Sequence, residues 1–128
     1  MNLELVLTGQ PITKKNSQQI IRVGGRSMII PSAQYRRYEH ECLLQIPEDI
    51  RLRIEDAINL QCIYYMPTRR RVDLCNLLGA TCDILVAAGV LADDNCRIVA
   101  SHDGCAVYHD KHNPRVEITI TDYKGVTL

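Results

Sequence analysis

Between Arg69 and Asn95 the chain reads RRRVDLCNLLGATCDILVAAGVLADDN: three arginines, an aspartate, a helical stretch and the acidic pair Asp93-Asp94. Carboxylates so close to a basic run suit chemistry on a phosphodiester. A divalent cation held there polarises the phosphate while guanidinium groups grip the flanking backbone. Simpler roles compete at each position. Asp73 stands where a helix N-cap is needed, and Asp93-Asp94-Asn95 has the composition of a turn. Arg69, Arg70 and Arg71 have no use in a core or a cap, so they are either a phosphate grip or a solubilising patch.

The elements that must position these residues are legible around them. From Leu74, the apolar residues Leu77, Leu78, Ile84, Leu85 and Ala88 follow the 3.6-residue spacing of a helix laid on a core, and Gly89 ends it. Ala57 to Met66 alternates, with Ile58, Leu60, Cys62 and Tyr64 on one side, which predicts the strand that delivers the chain to Pro67 and the arginines. Leu3, Leu5 and Leu7 predict a first strand. In the loop from Pro11 to Ser17, Lys14, Lys15 and Asn16 are candidates to meet phosphate. Gln19 to Val23 and Arg26 to Ile30 flank Gly24-Gly25, the signature of a two-residue hairpin with Arg22 and Arg26 near its tip. Ser32 caps a helix from Ala33 to about Gln45, with Tyr35, Tyr38, Cys42 and Ile46 as its apolar stripe. Arg97 to Val107 reads as a strand broken at Ser101-His102-Asp103-Gly104, and Val116, Ile118 and Ile120 mark a last one. The expected architecture is α+β: a mixed β-sheet with two helices packed on it and an N-terminal β-hairpin arm, with residues 1–128 forming one domain.

Fifteen basic and fifteen acidic residues leave the 128-residue chain formally neutral. That excludes a nonspecific, histone-like coat for DNA, but not an enzyme whose basic face is balanced by acids elsewhere. None of the six cysteines lies in a C-x-x-C pair. The opening MNLELVLTG lacks the basic and apolar regions of a signal peptide. Reduced cytosolic thiols serving as small core residues are the expectation. A zinc site from Cys75, Cys82, Cys96, His102 and Cys105 matches no common knuckle spacing. No run reaches the ~18 apolar residues of a membrane span.

The pattern R-R-R-x-D-L-x-N-L from Arg69 to Leu77, then a helix with an internal Asp83, then A-G-V-x-x-D-D ending at Asp94, resembles the RusA family of Holliday-junction resolvases, common in bacterial prophages. The likeness is densest over residues 66–99, with fainter agreement elsewhere, including P-x-x-x-x-N from Pro11 to Asn16. It implies a Mg²⁺- or Mn²⁺-dependent endonuclease that cuts four-way, branched DNA, acting as a cytoplasmic homodimer without membrane contact. In similar proteins the metal is held by acids of a D-x-D-N segment and of the later D-D pair, with a lysine one helical turn into the helix. Carried over, Asp73 matches the first acid and Asp94 the last, with Asp93 in reserve. Arg69, Arg70, Arg71, Lys14, Lys15, Asn16 and Asn76 would then contact DNA. Two positions depart from the pattern: Cys75 stands in place of the second acid and Gly79 in place of the lysine. Mg²⁺ seeks hard oxygen donors and a thiol is soft, so the rival expectation is a branched-DNA binder that keeps the fold without cleaving.

Geometry limits the choices further. Asp83 lies roughly 15 Å along the helix from Asp73, too far to share one ion. If Asp73-Leu74-Cys75 is still extended, residues 73 and 75 point the same way and form one half of a site. A returning strand would then bring Asp94 close. His102 and Asp103 are candidates to replace the missing donor, with a surface turn as the simpler reading.

Overall fold

The computed structural model describes residues 1–14 and 18–128. Along the chain come strands β1 (Asn2–Thr8), β2 (Gln18–Val23) and β3 (Arg26–Pro31), helix α1 (Ala33–Gln45), strand β4 (Ile58–Met66), helix α2 (Leu74–Ala87), and strands β5 (Val99–Ser101), β6 (Ala106–His109) and β7 (Arg115–Asp122). β4 is the spine of the main sheet. β7 pairs antiparallel with one side of it, and β5 and β6 pair parallel with successive parts of the other. β1 lies antiparallel beyond β7, with Asn2 opposite Thr121. A parallel pairing needs a crossover, and α2 supplies it between β4 and β5.

Register explains the core. Leu60, Cys62 and Tyr64 of β4 stand opposite Ile120, Ile118 and Val116 of β7. On the far side of β7 the same three residues face Leu3, Leu5 and Leu7. The two-residue alternation therefore gathers one apolar face, on which Ile58, Leu60, Cys62, Tyr64 and Val116 are completely covered. Tyr35, Tyr38, Cys42 and Ile46 of α1 and its C-cap, with Leu77, Ala80, Ile84 and Leu85 of α2, complete the cluster. Each fully buried Leu or Ile is worth about 1.5–3 kcal/mol in transfer free energy. The opposite face carries Asn59, Gln61 and Tyr65 beside Arg115, Glu117 and Thr119, and stays half-exposed, as an antiparallel sheet permits.

The α+β expectation holds, with both helices on one face and the hairpin apart from the main sheet. Ser32 Oγ accepts from the Tyr35 N–H at 3.1 Å and caps α1. The Arg51 guanidinium donates to the Leu43 and Ile46 carbonyls at its other end, both at 3.0 Å. Gly24 and Gly25 have φ of +59° and +78°, the pair of positive values that a type I′ hairpin turn demands. At the end of α2 the Gly89 N–H reaches the Val86 carbonyl and the Val90 N–H reaches Leu85, so the chain leaves through a Schellman motif.

The broken strand sits two residues later than its alternation suggests, over β5 and β6. Asn95 is the reason. Its side chain accepts from the Arg97 N–H and its carbonyl from those of Ile98 and Val99, winding the residues before Val99 into a turn. All six cysteines are free. The core role holds for Cys42, Cys62 and Cys82, whereas Cys75 and Cys96 are exposed. No helix among the described residues is long and apolar enough to cross a membrane.

Candidate active site

α2 is fixed to β4 by a buried polar contact. The Thr81 hydroxyl donates to the Leu77 carbonyl at 3.1 Å, leaving its oxygen to accept from the Tyr64 hydroxyl at 2.7 Å. Thr81 is therefore a satisfied core residue in what had read as an apolar stripe. With the helix set in this way, its N-terminus opens to solvent beside the arginines.

Asp73 is the N-cap of α2. Its Oδ1 accepts from the backbone N–H groups of Cys75 at 2.9 Å and Asn76 at 3.3 Å. Oδ2 takes no hydrogen bond among the described residues. The cap closes the helix at once: Leu74 is already helical, so Asp73-Leu74-Cys75 is not the extended segment required for residues 73 and 75 to point together. Cys75 occupies the first turn with its thiol exposed. Asn76 is half-buried beside the cap. Gly79, one turn on, is exposed, and a Cβ placed there would meet nothing within 4 Å.

The second acidic segment is an irregular loop that leads into the turn begun by Asn95. Asp93 Oδ1 accepts from the Asp94 N–H at 2.8 Å and Oδ2 from the Asn95 side chain at 3.1 Å. These bonds, led by the one from the Asp94 backbone, hold the Asp93 carboxyl below the usual carboxylate range. Asp93 thus shapes the loop, while Asp94, exposed, presents its carboxylate next to it. Burial pushes the Cys82 thiol up to about 12, with the charge of Asp94 the next cause. The loop is anchored by the backbone: the Ile54 N–H reaches the Val90 carbonyl and the Ala92 N–H reaches Ile54.

The basic residues divide. Arg69, Arg70 and Arg71 are all exposed in the loop between β4 and α2. Lys14 instead faces Asp83, Nζ to Oδ2 3.6 Å, with both side chains nearly half exposed. Such a pair is worth about 0–1 kcal/mol, so it gives Asp83 a partner without immobilising the lysine. Lys15 and Asn16 lie outside the described residues. His102 and Asp103 serve the break in the strand. The His102 Nδ1 lies 2.9 Å from the Leu60 carbonyl oxygen, and Asn59 clamps Asp103 by accepting its N–H at 2.8 Å and donating to its carbonyl at 3.2 Å. Beyond them Cys105 Sγ accepts from the Cys62 N–H at 3.2 Å. The hydrogen bond from the Cys62 thiol, aided by His102, pulls Cys105 down to about 6.

A family model described as Endodeoxyribonuclease RusA matches residues 8–121 of the 128. The chain belongs to the RusA family. No curated protein matches it. RusA proteins are endodeoxyribonucleases whose activity in general is the resolution of Holliday junctions, and in general they depend on a divalent metal. Mg²⁺ suits what this member offers. It is commonly held by one or two carboxylates, several waters and the substrate's own phosphates. Asp73 Oδ2 and the Asp94 carboxylate are exposed oxygen donors of that kind. No three His, Cys, Asp or Glu side chains among the described residues form a metal-holding group. Sequence reasoning missed Asn59 and the Tyr64–Thr81 pair. A threonine within the apolar stripe of α2 was the available signal for the second; a polar residue on the open face of a strand gave none for the first.

Proposed function

We propose that this chain is a Mg²⁺- or Mn²⁺-dependent endonuclease that resolves four-way DNA junctions by paired cuts, as a homodimer of single RusA-like domains in the cytoplasm of a bacterium carrying it on a prophage. Asp73 and Asp94 are the metal ligands, with Asp93 holding the loop and standing in reserve. When bound, the ion lowers the pKa of a water and polarises the scissile phosphate. Asp73 can turn Oδ2 outward while Oδ1 keeps the helix closed. Arg69, Arg70 and Arg71 grip backbone phosphates, joined by Lys14 once it leaves its weak pair with Asp83, and by Lys15, Asn16 and Asn76. A two-fold dimer brings two equivalent sites to a two-fold junction.

The observation that carries this reading is the exposed Asp73 just after three exposed arginines, with a second exposed carboxylate, Asp94, in the loop beyond α2, in a chain of the RusA family. A second reading, a branched-DNA binder without cleavage, is favoured by Cys75 and Gly79, since neither the second acid nor the lysine of the family pattern is present. One experiment separates them: a synthetic four-way junction incubated with wild type, Asp73→Asn and Asp94→Asn in Mg²⁺ and in Mn²⁺. The nuclease reading expects the wild type to nick and both variants to bind without nicking. Asn caps a helix about as well as Asp, so Asp73→Asn removes charge without unravelling α2. A wild type that shifts the junction but never nicks it transfers the protein to the binder class. Normal cutting by either variant removes that residue from the ligand set.

A further inference from the structure

Where β4 and β6 end side by side, the structure holds a cavity of about 350 Å³ lined by Met66, Thr68, Arg69, Arg70, Tyr108 and His109, among others. Small-ligand sites run from about 300 to 1,000 Å³, so this one has room for a single nucleotide and not for a duplex. Its wall is divided chemically. Arg69 and Arg70 bring two exposed guanidinium groups that enter no salt bridge among the described residues. Tyr108, 55 % exposed, adds an aromatic ring to the same lining.

That ring is backed by a second, tilted aromatic ring and a cation held in place. Tyr108 is in register with Tyr65, and the two ring centroids are 5.8 Å apart. The Arg115 guanidinium lies over Tyr65, 3.8 Å from its centroid. Arg115 in turn donates to Asp110 and to Glu117, each at 3.0 Å, and to the Asn113 carbonyl at 2.9 Å. With two carboxylates on it, Arg115 is a prop and not a phosphate ligand; the uncommitted cations are Arg69 and Arg70. Inside a duplex both faces of a base are covered by its neighbours. Only an unstacked base can lie against a protein aromatic ring.

We propose that this cavity binds one unstacked nucleotide of branched DNA, the base against Tyr108 and the phosphate on Arg69 and Arg70. The inference rests on the DNA-processing reading above and specifies what the arginine loop recognises: strand that has left the helical stack. Thr68 and His109 line the same space and supply side-chain hydrogen-bonding groups for the base edge.

The test is equilibrium binding in EDTA, where no cleavage occurs, to a synthetic four-way junction and to a fully paired duplex of the same arm sequence. Tyr108→Ala should weaken junction binding by roughly 5- to 150-fold, the range of base stacking on an aromatic side chain, and leave duplex binding unchanged. Tyr108→Phe should bind as wild type. Tyr108→Leu keeps an apolar side chain against Tyr65 but has no flat ring, so it should lose as Tyr108→Ala does and guards against a folding defect in the smaller variant. Equal losses on junction and duplex, or no loss in either non-aromatic variant, would overturn the assignment. If the wild type binds neither DNA, the nuclease reading falls with it. Junction binding that is indifferent to residue 108 removes only the nucleotide cavity.

Discussion

The two halves of α2 share one helix and two environments. Around its first two turns, Asp73, Cys75 and Gly79 are exposed. From Ala80 to Ala88, the residues Ala80, Thr81, Cys82, Ile84, Leu85 and Ala88 are all buried, Ile84 and Leu85 completely. The positions where this chain departs from the RusA pattern both fall in the first half, where no neighbour dictates a side chain. Those that hold the helix to the sheet fall mostly in the second, with the buried Leu77 joining them from the first. Under the proposed function stability and chemistry are carried by different turns, and substitutions can address them separately.

The largest effect expected is in the buried half. Leu85→Ala should cost about 2–5 kcal/mol in urea denaturation, from lost burial plus the cavity left behind. A loss as small as that of an exposed position would mean that the second half is not the anchor. Next comes the polar lock. Thr81→Ala strands the buried Tyr64 hydroxyl and should cost about 1–3 kcal/mol. Tyr64→Phe should cost less, because Thr81 retains the Leu77 carbonyl. The reverse order would show that the tyrosine is held by something other than Thr81.

The smallest stability changes belong to the open half, where they come with the sharpest functional reading. Gly79→Lys enters open space and removes a glycine from a helix interior, so it should raise stability by about 0.5–1 kcal/mol. Cys75→Asp carries no burial cost because the thiol is exposed. A carboxylate in the first turn of a helix should add no more than about 0.3–1 kcal/mol. Under the nuclease reading each change, and most of all the double variant, should raise Mg²⁺-dependent junction cleavage. Variants that melt as expected and cut no faster would assign these positions to the scaffold alone.

What was legible in the sequence was whatever depends on near neighbours. The stripe of α1 with its Ser32 cap, the Gly24-Gly25 turn and the alternation of β4 and β7 all follow from periods of 3.6 or 2 and from local backbone demands. Asp73 was readable as a cap. The extended Asp73–Cys75 segment failed for that same reason, since the cap that Asp73 provides starts the helix at Leu74. Long-range pairings were not legible. Lys14 meeting Asp83, Asn59 clamping Asp103, and Tyr65 packed between Arg115 and Tyr108 each join residues whose spacing carries no signature. The candidate ligands could be named one by one, but where Asp94 stands relative to Asp73 is a product of how the chain returns after Gly89.

The pairing of β1 with β7 governs how this protein must come into being. Asn2 meets Thr121, and Leu7 is buried against Val116, so nearly the whole chain separates partners that lie side by side. During synthesis the first strand waits unpaired until the last has left the ribosome, and closing so long a loop slows folding. β7 also completes β4. Until it docks, the chain exposes apolar strand edges on both of its prospective neighbours, the interval in which aggregation competes with the native fold.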